Sequence, residues 1–119
     1  MTITYATAKL ESEFKDERQL LRQRGRDQAK KIKLRLSAIL AADHLGILRP
    51  PTPGHFHPLH ENKAGWIACH LDEPYRLICE PDHNPLPVLL AGGLDWSQVT
   101  RIKILGVLNY HERNKSKPA

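Results

Sequence analysis

Arg76 sits inside the apolar run Tyr75-Arg76-Leu77-Ile78-Cys79-Glu80. The run reads as a β-strand, in which Arg76 faces away from Leu77 and shares its side with Ile78 and Glu80. An arginine there is either a solvated surface residue or a planar, permanently charged fork aimed at a phosphate. Seven histidines accompany it, three of them spaced as His55-x-His57-x-x-His60. Alternate residues of an extended segment face the same way, as a metal site would need. Nearby carboxylates are sparse and Pro58 interrupts the geometry, so the expectation is a wet polar loop with no metal and no cofactor. His111 follows Asn109-Tyr110 near the C-terminus, and a histidine can give or take a proton near neutral pH.

Cys69 and Cys79 are the only cysteines. They lie on neighbouring strand-like runs, in phase with Ile67 and Leu71 and with Tyr75 and Leu77. This predicts two small core hydrophobes rather than nucleophiles. No Gly-rich phosphate loop, nucleophile elbow or paired-carboxylate motif is present. Histidine, arginine and lysine on a small sheet suit one reaction, cleavage of RNA without a metal. That chemistry needs a base for the 2′-hydroxyl, cations for the phosphorane charge and an acid for the 5′-oxygen.

The elements that must position these groups are separated by proline. All nine prolines lie at Pro50 or beyond, and the first 49 residues hold two glycines, Gly25 and Gly46. A breaker-poor stretch favours helices. Ile3-Thr4-Tyr5-Ala6-Thr7 reads as an edge strand. From Ala8 the period turns helical, with Leu10, Phe14 and Leu21 near one stripe, Leu20 widening it, and Gly25 as the stop. Asp27 then caps a second helix with Ile32, Leu36, Ile39 and Leu40 on one face. The two helices form an αα-hairpin. Residues 49–58 read as an extended loop. Trp66 to Leu71 and Tyr75 to Glu80 form a β-hairpin across a three-residue turn. A short strand is expected at Val88-Leu89-Leu90 and a longer one from Val99 to Leu108. The fold expected is α+β in one domain over residues 1–112, β-α-α followed by a three- to four-stranded, mostly antiparallel sheet, with a polar tail at 113–119.

Charge is uneven along the 119 residues, which carry a formal net charge of +5. Residues 1–60 hold 11 basic and 6 acidic side chains, residues 61–119 hold 7 of each, and eight bases with the single acid Asp27 lie between Arg18 and Arg35. This asymmetry points to a polyanionic partner. A hydrophobic fraction of 40% argues against disorder. No apolar run approaches the roughly 18 residues of a membrane span, and the N-terminus lacks the build of a signal peptide. The expected location is cytoplasmic.

Taken in order, these segments resemble a known family. His57-Pro58-Leu59-His60-Glu61-Asn62-Lys63-Ala64-Gly65-Trp66 resembles the His-Pro-Leu…Gly turn of HigB-type toxins in the RelE/ParE superfamily. Pro74-Tyr75-Arg76-Leu77-Ile78-Cys79-Glu80-Pro81 resembles their central Tyr-Arg-Leu strand. Asp95-Trp96-Ser97-Gln98-Val99-Thr100, then Ile102, Ile104 and Tyr110-His111, resemble the last strand and its Tyr-His end. The resemblance implies a RelE-like toxin of a bacterial type II toxin–antitoxin pair: a ribosome-dependent, metal-independent mRNA endonuclease acting in the ribosomal A site. It also implies a HigA-like helix-turn-helix antitoxin as partner, through which alone operator DNA is bound.

Carried onto this chain, the resemblance makes Arg76 the arginine on the scissile phosphate and His111 the proton shuttle. Tyr110 becomes the neighbouring aromatic that stacks on or hydrogen-bonds to a nucleotide, and His57 contacts RNA or helps move a proton. Two positions depart from the pattern. His60 stands where members often carry lysine, with Lys63 nearby to compensate, and Asn109 stands where aspartate often precedes Tyr-His. These positions are expected to touch RNA. Two other readings of the same resemblance are a non-enzymatic interaction protein of the gyrase-inhibitor type and a degenerate toxin that only binds its antitoxin.

Overall fold

Thr7 opens the first helix by accepting a hydrogen bond from the Leu10 amide at 3.1 Å, and α1 then runs over Ala8–Lys15. The computed structural model describes residues 1–59 and 65–109. The single helix expected from Ala8 to Gly25 is two helices. Asp16 ends α1 and caps α2 (Glu17–Arg24), accepting from the Arg18 and Gln19 amides at 2.9 and 3.2 Å. An aspartate offers the exposed amides of a helix start more than it offers a helix interior, so the chain breaks there. The break resets the helical phase, so Leu20 is buried and Leu21 is 51% exposed, the reverse of the stripe read from spacing.

Gly25 adopts φ +80°, a left-handed conformation suited to glycine, and joins α2 to α3 (Arg26–Ala41). Asp27 lies in the first turn of α3 rather than capping it. Ile32 and Ile39 are buried and Leu36 packs against the core, while Leu40 is 61% exposed. The expected helical hairpin is therefore three helices.

The sheet has five strands in the order β1-β5-β4-β3-β2, formed by Thr2–Tyr5 (β1), His57–Pro58 (β2), Ile67–His70 (β3), Tyr75–Pro81 (β4) and Arg101–Asn109 (β5). β1 runs parallel to β5, and the other neighbouring pairs are antiparallel. The sheet is thus mixed and larger than the three- to four-stranded one expected. A parallel pair needs a long connection, which the three helices and strands β2–β4 between β1 and β5 provide. The expected strand at Val88 shrinks to a single bridge between Val88 and Leu94.

Strand alternation divides the sheet into two faces. Ile67, Cys69, Leu77, Cys79, Ile102, Ile104 and Val107 join Leu10, Phe14, Ile32 and Ile39 of the helices in the main core. Ala68, Ile78 and Leu108, with Leu59, form a smaller cluster on the other side. At the Ile78–Cys79 step the register to β5 shifts, from Ile78 opposite Gly106 to Cys79 opposite Ile104. Gly106 has φ +141°, so it takes up the irregularity without a side chain to strain. The result is a compact α+β domain. No helix among the described residues is long and apolar enough to cross a membrane.

Candidate functional site

The β3–β4 hairpin sets the site. Its register places His70 opposite Arg76 across the ladder, and Arg76 also faces Leu108 on β5. Across β2, His57 stands opposite Ala68. The period of two puts His57, Ala68, His70, Arg76, Ile78 and Leu108 on one face, the one turned away from the helices.

Helix α3 fixes the tip of the hairpin from the other side. Gln28, buried, donates to Asp72 at 3.1 Å, and the Arg35 Nε donates to the His70 carbonyl at 2.7 Å. The His70 amide in turn donates to the Gly54 carbonyl at 2.8 Å, which lays the proline-rich loop along the end of β3. Phe56, fully buried in the main core, pins that loop. With Phe56 turned inward, the residues flanking it, His55 and His57, come together with His70.

Arg76 is 8% exposed, so it is not the solvated strand residue that its type alone suggests. Its guanidinium donates to the Tyr75 carbonyl at 3.0 Å and forks onto Glu73, with contacts of 3.2 and 3.4 Å. Glu73 itself is 70% exposed. The arrangement keeps a buried cation paired while leaving its anionic partner at the surface, where a phosphate can compete for the same donors.

The three imidazoles cluster at tilted and edge-on angles, with ring centroids 4.8 Å (His55–His70), 5.2 Å (His55–His57) and 5.8 Å (His57–His70) apart. Burial pushes the His70 imidazole below the ordinary histidine range, helped by the positive charge of Arg76 and by the two other histidines, and opposed by Glu73. This favours the neutral imidazole, whose lone pair can accept a proton. The cysteines are inert. Burial raises the Cys69 thiol well above its usual value and pushes the Cys79 thiol up to about 12.

Of the residues singled out by sequence, Arg76 and His57 share this face, and Asn109 opposes Tyr75 at the end of β5. His60, Lys63, Tyr110 and His111 lie outside the described residues. His70 was not singled out. Its signal was nonetheless present, because a three-residue turn at Asp72–Pro74 pairs position 70 with position 76.

A scan against protein-family models finds no match to the chain, and searches of curated proteins and of solved structures find none either.

Proposed function

We propose that the chain is a RelE/ParE-type toxin that cuts mRNA on the ribosome without a metal. The observation that carries this reading is the burial of Arg76 on a histidine-bearing sheet face, register-paired with His70. A buried arginine with a displaceable surface carboxylate suits an anion that arrives from solution.

In this reading the Arg76 guanidinium takes the charge that develops on the non-bridging phosphate oxygens. His57 or His70 accepts the proton of the 2′-hydroxyl as its oxygen attacks phosphorus. His111, by its resemblance to the family's terminal histidine, protonates the departing 5′-oxygen. The products are a 2′,3′-cyclic phosphate and a 5′-hydroxyl. Arg18, Arg22, Arg26, Lys30 and Lys31 are exposed on the helices and suit sequence-blind attraction to ribosomal RNA, which weakens as salt rises. The partners in this reading are the ribosomal A site, its mRNA and a HigA-like antitoxin.

Induction of the chain from a tight promoter tests the reading. Growth arrest with new mRNA 5′ ends inside translated regions supports it. Normal growth, or arrest with intact mRNA and DNA damage signalling, contradicts it.

A further inference from the structure

We propose that His55, His57 and His70 form a binding site for a borderline divalent transition metal, with zinc as the expected ion. One ligand-type atom from each of the three lies within 4.8 Å of the others. Ligand nitrogens around tetrahedral zinc stand about 3.3 Å apart, so a closure of about 1.5 Å completes the set. His55 is exposed and His57 and His70 are half-buried, so rotation of the three rings can draw their nitrogens together.

Two further observations support the site. The first is the tautomer of His57. Its Nδ1 lies 2.7 Å from the His55 carbonyl oxygen, which can only accept, so Nδ1 carries the proton. In the neutral ring the lone pair is then on Nε2, the state that a metal ligand needs, with a backbone carbonyl holding the ring. The second is the backbone of His55, at φ +52°, a left-handed conformation costly for a residue with a Cβ. It is the only non-glycine residue with positive φ among those described, and it belongs to the cluster.

The donor set selects the ion. Three imidazoles without a carboxylate favour zinc, copper, nickel or cobalt over magnesium or calcium. Three protein ligands leave a fourth position for water, the arrangement of an open site. The Arg76 guanidinium opposes a cation nearby. Glu73 offsets it, being paired with Arg76 and having Oε1 4.0 Å from His70 Nδ1. A small shift turns that contact into a carboxylate–histidine pair behind the metal.

The site shares His57 and His70 with the proposed RNA chemistry, on which it does not depend, and is tested without RNA. The tag-free full chain, stripped with chelator, is titrated with zinc by calorimetry and with cobalt by visible absorption. The expected result is one ion per chain, with cobalt bands of tetrahedral intensity. His55→Gln and His70→Gln should each weaken binding at least tenfold while circular dichroism and the thermal midpoint of the metal-free chain are retained. Failure to bind one ion in the micromolar range overturns the proposal. So does wild-type affinity in the folded His55→Gln/His70→Gln double variant, which would assign the ion to other histidines. Either outcome leaves the RNA cleavage reading to be decided by its own assay.

Discussion

The Arg76 guanidinium lies 3.2 Å from Glu73 Oε1, a buried cation tied to a carboxylate that is 70% exposed. The pair spans the turn of the β3–β4 hairpin, so in the proposed function the carboxylate that stabilises Arg76 stands where the phosphate is to bind. On that reading the two anions compete for the same N–H groups.

Removing that competition should strengthen phosphate binding. Glu73→Gln keeps the shape and a hydrogen-bonding oxygen but loses the charge. An exposed partner is worth at most about 1 kcal/mol, so affinity for a 2′-O-methyl RNA oligonucleotide, which cannot be cleaved, should rise roughly two- to fivefold. Fluorescence anisotropy at fixed salt measures this. Unchanged or weaker binding would mean that Arg76 does not meet the RNA backbone.

The edge of the sheet carries an acid-labile tie. Thr4 Oγ1 on β1 donates to Asp82 Oδ2 at 2.7 Å, just beyond β4, and Arg101 lies 3.6 Å from the same oxygen. The Thr4 hydrogen bond is the main cause holding the Asp82 carboxyl below its usual value, against a smaller opposing effect of burial, with Lys103, Arg101 and His83 adding to the lowering. A carboxyl lowered in the folded state stabilises above its unfolded pKa of about 3.9 and loses that stabilisation as pH falls through the folded value. Asp82→Asn should therefore cost at most about 1 kcal/mol at neutral pH, and the difference from the parent should fade as pH falls through the lowered folded-state value. Urea unfolding across that range checks it. A difference independent of pH would assign the effect to packing instead.

Leu77 underlies the site from the helix side. It is fully buried, flanks Arg76 in β4, and pairs with Cys69 and Val107 across the ladders. Leu77→Ala should destabilise the domain by about 2–5 kcal/mol, read as a lower denaturant midpoint with unchanged slope. A loss below about 1 kcal/mol would mean that the two faces of the sheet are not coupled through a tight core.

Much of this was legible in the residues. The alternation of Cys69, Leu77 and Cys79 marked the buried face, and Gly25 marked a helix boundary, because period and backbone freedom are local properties. The break at Asp16 is not legible in the residues, since Lys15-Asp16-Glu17 also suits an exposed helix face and only the amides it caps reveal its role. β1 is legible as a strand, but its parallel pairing with β5 depends on contacts about a hundred residues apart in sequence, which no local pattern encodes. The site shows the same division. Arg76 stood out as a charge within an apolar strand. The His55–His57–His70 cluster depends on Phe56 folding inward and on a carbonyl–amide bond from Gly54 to His70, both tertiary events. Glu73 as the anchor of Arg76 needed the turn geometry as well.

In the proposed function this sheet face cleaves mRNA through Arg76. The most direct measurement uses purified ribosomes programmed with a defined mRNA, with the chain added in excess EDTA and the ends of the RNA mapped chemically. The expected result is cleavage only in the presence of ribosomes, ends carrying 2′,3′-cyclic phosphate and 5′-hydroxyl, and a loss of at least about a hundredfold in rate for a folded Arg76→Ala variant. Intact mRNA with the parent chain, or cleavage undiminished by Arg76→Ala, would contradict it.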